Sequence, residues 1–194
     1  MSSQFDTAIA LIDDANARDP NMIGADGSDH PAELIYSQRM SETLARVYPQ
    51  ASPELQLAVR AQHLKRWTLP RADFPMDRKG YHAWRNAAKA MHAQEAGGIL
   101  TKAGFEADRI ARVQALIRKE RIKRDDEAQS LEDVACLVFL EHYFSAFAMK
   151  HDREKLIGII RKTWNKMSEL GQAEALKLSM DAEHSQLVRE ALAG

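Results

Sequence analysis

Four stretches of the sequence set titratable side chains inside otherwise apolar helical patterns. AVRAQHLKRW carries Arg60, His63 and Arg66; KAMHAQEAGG carries His92 and Glu95; QSLEDVACLVFLEHY carries Glu132, Asp133, Glu141 and His142; AELIYSQRM carries Glu33. A buried charge must be paired, hydrogen-bonded or bound to a metal, so these residues either staple helices together or line a site. Two histidines and a carboxylate drawn from separate helices suit a divalent ion that activates water. Within a single helix no pair has the His-Glu-x-x-His spacing. The alternative is that the histidines are interhelical hydrogen-bond partners.

A second set is basic. Arg60, Lys65, Arg66 and Arg71 lead into TLPRADFPMDRKGY, and Arg78, Lys79 and Arg85 leave it, interleaved with Trp67, Phe74, Tyr81 and Trp84. Guanidinium groups beside aromatic faces suit phosphate clamping and stacking on a base. The competing reading folds the aromatics onto the core while the arginines reach to water. A third set, Arg109, Arg112, Arg118, Lys119, Arg121, Lys123 and Arg124, crowds one helix and its end. Cations there offset the helix dipole; contact with RNA is the functional alternative.

The whole chain narrows these options. Over 194 residues, Lys+Arg 27 against Asp+Glu 28 leaves a net charge of -1. No global field drives binding to nucleic acid or membrane, so any electrostatic recognition is local. A single cysteine, Cys136, excludes an internal disulfide and a cysteine-based zinc site, and it suits a cytoplasmic location. The N-terminal MSSQFDTAIALIDD is broken by Asp6, Asp13 and Asp14 and does not read as a signal peptide. No stretch is apolar for long enough to span a membrane. P-loop, dinucleotide and Gly-x-Ser-x-Gly patterns are missing.

The elements that must position these residues are helices. Apolar residues recur at helical spacing throughout and alternating β-branched runs are missing, which predicts an all-α, single-domain bundle over residues 1–194. A first helix with Phe5, Ile9 and Ile12 on one side stops before Asp19-Pro20. Gly24, Gly27, Ser28, Asp29 and His30 then read as a turn-rich loop, with Pro31 at the first position of the next helix. Ser52, Pro53 and Glu54 open a third helix that runs to about Trp67. The Pro-rich stretch is a surface loop, and a helix resumes near Asp77, with Gly97-Gly98 as a kink or packing point and Gly104 as a stop. Helices near 106–122 and 130–149 follow, the latter apolar nearly all round and so central. Asp152 caps KLIGIIRKTWNKM, and DAEHSQLVREALA closes the chain.

Taken together, ELIYSQRM, RAQHLKRW, PMDRKGYHAWR, LEDVACLVFLE and TWNKMS resemble the family known as domain of unknown function 4202, over almost the whole chain. That likeness implies no activity. A more distant resemblance is to the HD-domain phosphohydrolases, helical proteins whose metal is held by a histidine, a His-Asp doublet and a later aspartate. In that likeness Tyr36 stands at the first histidine, Gln62-His63 at the doublet and Asp133 at the distal aspartate, while His92 matches an auxiliary histidine.

The reading that follows is an HD-like pocket for a phosphorylated small molecule or nucleotide, acting as a metal-dependent phosphohydrolase. His63, His92 and Asp133 are expected to hold a divalent ion, Mn, Zn or Mg. His63, Asp133 and Glu132 are expected to carry catalysis. Arg60, Arg66, Trp67, Arg71, Tyr81, Arg85 and Lys119 are expected to bind the ligand. The rival reading is a non-catalytic helical module that binds RNA or a protein.

Overall fold

The computed structural model describes residues 3–25, 27–122, 124–180 and 182–193. The element order is α1 (Gln4–Asn16), β1 (Met22–Ala25), β2 (Ser28–Pro31), α2 (Ala32–Val47), α3 (Pro53–Arg60), α4 (Arg78–Lys102), α5 (Ala107–Arg118), α6 (Asp126–Val138), α7 (Phe144–Ala148), α8 (Arg153–Trp164), α9 (Glu169–Ala175) and α10 (Ala182–Ala193). Helix accounts for 71% of the structure and strand for 4%, so the class is all-α as expected. The strands form a small antiparallel hairpin with Ile23 opposite His30 and Ala25 opposite Ser28. The turn-rich reading of this stretch is thus corrected in part: Gly27, at φ +81°, supplies the backbone conformation that closes a tight hairpin.

Local chemistry explains most helix boundaries. Ser3 and Asp6 make a reciprocal capping box at α1. Ser52 caps α3 with Pro53 as its first residue, Asp77 caps α4 and Asp152 caps α8. Pro31 precedes α2 rather than opening it and offers no side-chain cap. Buried Asp19 takes over that duty from a distance, accepting the Glu33 N–H at 3.0 Å. Gly104, at φ +85°, ends α4 as its sequence predicts.

The main core joins α1 to α6 through Ile12, Met40, Leu44, Leu57, Leu64, Leu100, Leu116, Ile117 and Leu131, all within 2% of complete burial. A second apolar group under Leu137 and Met167 seats α9, and a third around Phe144, Ile160 and Leu187 joins α8 to α10. Gly97 does not kink α4; it lets α5 come close, since a Cβ there would lie 2.3 Å from the Gln114 amide nitrogen, which itself bonds the Ala93 carbonyl at 2.9 Å. No described helix is long and apolar enough to cross a membrane.

Two departures from the expected helices matter for the site. The third helix stops at Arg60, seven residues short of Trp67, and a series of turns follows. Lys65 sits in the left-handed region at φ +55° with its N–H bonded to Asn16 Oδ1 at 3.1 Å. The helix expected over 130–149 begins at Asp126 and is interrupted by a π-helical turn at Phe139–Tyr143 before α7. Such turns widen the helix and re-aim its side chains. Of the stretches singled out above, Lys123 and Asp181 lie outside the described residues.

Candidate functional site

Six helices and the turns that follow them surround one cleft of about 1270 Å³. Glu33 and Tyr36 enter from α2; Gln62, His63 and Arg66 from the broken end of α3; Tyr81, Trp84, Arg85, Lys89 and His92 from α4. Lys119 comes from the end of α5, Glu132 and Cys136 from α6, Phe139 and Tyr143 from the π turn, and Lys162 and Lys166 from α8 and just beyond it. Arg78, Tyr81, Arg85, Lys89 and His92 follow one another at steps of three or four along α4, so a single polar face of one helix supplies much of the wall.

The early end of α3 brings His63 into the cleft. Its ring stacks on Tyr36 at a centroid distance of 4.1 Å and 11° between planes. Arg66, which can only donate, lies 3.0 Å from His63 Nε2, so that nitrogen carries the lone pair and the proton sits on Nδ1. The protonated Nδ1 faces Glu33 Oε2 at 3.4 Å, a contact longer than a well-formed hydrogen bond. His92 has the same tautomer for a different reason: its Nδ1–H donates to the Leu64 carbonyl at 2.8 Å. Its Nε2 is therefore an acceptor, and it is buried without a protein partner. The two rings stand 5.8 Å apart.

Electrostatics in the cleft are lopsided. Burial, reinforced by Arg66 and Lys119, holds His63 well below the ordinary histidine range, and burial together with His63 holds His92 down at about 3. Both imidazoles are neutral at physiological pH. Burial lifts Glu33 to about 7 in spite of Arg66. At Glu132 burial acts in the same direction, but Lys119, Lys166 and Arg85 outweigh it and keep the carboxylate ionised. Lys119 and Glu132 form a close, largely buried ion pair, with Lys166 3.6 Å from the other carboxylate oxygen. Arg66 lies over the Trp84 ring and Arg85 over Tyr81. Arg78, Arg85, Lys89 and Lys162 have no carboxylate partner among the described residues. Lys89 is lowered by burial and by the like charges of Arg85 and Lys119.

Of the residues the sequence nominated, His63, His92, Glu132, Arg66, Tyr81, Arg85 and Lys119 meet in this cleft. Asp133 does not. It is fully buried on the far side of α6, where it accepts from Tyr48 Oη at 2.5 Å, Gln129 Nε2 and the Ser168 N–H at 2.8 Å, and the Ser168 hydroxyl. A Cβ at Gly171 would lie 2.7 Å from its carboxyl carbon, so α9 is seated directly on this carboxylate. His63, His92 and Asp133 are therefore not brought together as a ligand set. Among the described residues no group of three or more His, Cys, Asp or Glu side chains is placed to hold a metal ion.

Three nominated ligand-binding residues also lie elsewhere. Arg60 makes a two-pronged bridge to Asp13, both contacts 2.7 Å, and ties α3 to α1. Arg71 turns back on its own loop and donates to the carbonyls of Phe74 at 2.9 Å and Pro75 at 2.7 Å. Trp67 lies outside the cleft, and Trp84 takes the place expected of it, its Nε1–H donating to the Leu69 carbonyl at 3.0 Å. The basic segment around α5 is largely neutralised: Arg109 pairs with Glu54, Arg112 with Asp125 and Glu127, Arg118 with Glu120. Arg78 and Lys89 were legible in the sequence through their stripe with Arg85 and His92. Lys162 and Lys166 were not, because only tertiary packing, with Trp164 at the end of α8 against the Leu137 cluster, brings them in.

No curated protein and no solved structure matches the chain. The family model described as domain of unknown function 4202 matches residues 6–188. With nearly its whole length inside that match, the chain belongs to the domain of unknown function 4202 family.

Proposed function

We propose that the cleft binds a phosphorylated small molecule or a nucleotide. The observation that carries this reading is the positive charge: Arg78, Arg85, Lys89 and Lys162 face one concave, partly buried space, and among the described residues none of them is in an ion pair with a carboxylate. Arg85 and Lys89 are half-buried and Arg78 and Lys162 exposed; like charges around one concavity disfavour one another, and an anion with several oxygens offsets that while accepting charge-assisted hydrogen bonds. Tyr81 and Trp84, already under guanidinium groups, give the cleft flat faces suited to a base or another planar group. We further read the pocket as HD-like in its helix order, with Tyr36 stacked on His63 at the position where that likeness has its first metal-binding histidine. Asp133 is held by Tyr48, Gln129 and Ser168 away from the cleft, so the cleft is read as a binding site.

Calorimetric titration of the purified protein with inorganic phosphate and with a nucleoside 5′-monophosphate tests it. Saturable binding is expected, weakened at least tenfold in the double variant Arg85→Ala/Lys89→Ala. Absence of binding to either anion in low salt overturns the reading. A panel of phosphate esters with and without Mn²⁺, Zn²⁺ or Mg²⁺ then decides whether binding is accompanied by hydrolysis.

A further inference from the structure

The inner end of the cleft differs chemically from its rim, and the difference specifies the rest of the ligand. Three acceptor atoms there are buried without a well-formed hydrogen bond from the protein: His92 Nε2 and Gln62 Oε1, and Glu33 Oε2, which has only the long 3.4 Å approach of His63 Nδ1–H. His92 is 2% exposed and Gln62 7%. Each acceptor is fixed by what its other atom does. His92 Nδ1–H is committed to the Leu64 carbonyl, Gln62 Nε2 points to the Tyr36 hydroxyl at 3.4 Å, and Glu33 is held at the start of α2 beside Arg66. Buried polar atoms without partners are uncommon and costly, so three sharing one cavity mark groups that await a donor. The cations that lack carboxylates, by contrast, lie at the half-buried or exposed rim.

We propose that the ligand is a phosphate ester of a polyhydroxy compound, a phosphorylated sugar or the sugar phosphate of a nucleotide, with its hydroxyls donating to His92, Gln62 and Glu33 while the rim holds the phosphate. This rests on the anion-binding reading above and adds to it. A hydroxyl fits better than an ammonium group. Arg66 already lies 3.8 Å from Glu33 and 3.0 Å from His63, so a second positive charge at the inner end would meet a cation rather than a free carboxylate. Both ends are within reach of one small molecule, since they line the same cleft and Lys89 at the rim stands one helical turn from His92 on α4.

The test compares ribose 5-phosphate with methyl phosphate on the unmodified protein, which isolates the sugar hydroxyls without any variant. Ribose 5-phosphate is expected to bind at least tenfold more tightly, the effect of two or three neutral hydrogen bonds. In Gln62→Met and His92→Phe that preference is expected to shrink several-fold, with methyl phosphate affinity unchanged and serving as the control for folding. Equal affinities for the two esters, both dependent on Arg85 and Lys89, overturn the sugar assignment and leave the anion site standing. A preference that survives both substitutions also overturns it. Failure of both esters to bind removes the anion reading itself.

Discussion

At the scale of single residues, the cleft stores two opposed titrations. His92 is held at about 3 by burial and its neighbours, against an ordinary value of 6.5. The unfolded chain takes up this proton as pH falls below 6.5 while the native state refuses it, so stability is lost progressively between those values. Glu33 behaves in the opposite sense. Raised to about 7 from 4.5, it favours the native state fully below 4.5, and that contribution is lost as pH rises through 7. Replacing His92 by Gln removes the acid penalty and keeps the gain from Glu33. The stability of His92→Gln relative to the unmodified protein is therefore expected to rise by about 2 kcal/mol between pH 7 and pH 5 in urea denaturation; parallel pH dependences would show that His92 is protonated or hydrated in the native state. Asp133 makes a different prediction, because it holds α6, the Tyr48 side chain and the start of α9 together from outside the cleft. Asp133→Ala strands several buried donors and is expected to lower stability by about 3 kcal/mol while leaving phosphate affinity intact. A loss of affinity at unchanged stability would return Asp133 to the site.

At the scale of elements, the rim depends on how the Pro-rich loop meets α4. Gly80 lies in the first turn of α4, and a Cβ on it would stand 2.0 Å from the Pro75 carbonyl oxygen, the same oxygen that Arg71 holds at 2.7 Å. Backbone cannot yield as a flexible side chain does. Gly80→Ala is expected to cost about 2 kcal/mol and, by levering the loop away from Arg78, Tyr81 and Trp84, to weaken phosphate binding; unchanged melting and unchanged affinity would mean the loop floats free of the helix. The caps Ser52 and Asp152 and the stop at Gly104 were legible in the sequence because each acts on its own neighbours. The end of α3 was not. AVRAQHLKRW keeps helical periodicity past Arg60, and the break depends on Asn16, forty-nine residues earlier, receiving the Lys65 N–H. Asp133 failed for a related reason. Its place in LEDVACL says that it is buried, but Glu132 and Asp133 leave α6 in different directions, and only Tyr48, Ser168 and Gly171, all remote in sequence, decide that Glu132 faces the cleft. The arginines divided similarly: Arg60 and Arg71 have the right type and neighbourhood, yet Asp13 and the loop carbonyls claim them first.

For the whole molecule, a net charge of -1 conceals a segregation of charge. Away from the cleft, several arginines are matched to carboxylates, as in Arg60 with Asp13, Arg46 with Glu141 and Arg109 with Glu54. At the cleft, Arg78, Arg85, Lys89 and Lys162 have no such match among the described residues, and on the proposed reading recognition is local and the stability of the fold responds to an anion bound there. A ligand that binds only the native state at a hundred times its dissociation constant adds about 2.7 kcal/mol, which raises the melting temperature by roughly 5 to 10 °C for a chain of this length. Phosphate is therefore expected to shift melting upward at 50 mM sodium chloride and markedly less at 300 mM, since the rim cations are partly open to screening. Phosphate also strengthens folding generally through exclusion from protein surfaces, so the informative quantity is the shift that disappears in Arg85→Ala/Lys89→Ala. Neutralising Arg118 and Arg121 is expected to leave it unchanged, because those residues lie outside the cleft. If the α5 substitutions removed the shift and the cleft substitutions did not, the anion would belong to the basic helix, and the module that binds RNA would become the better reading.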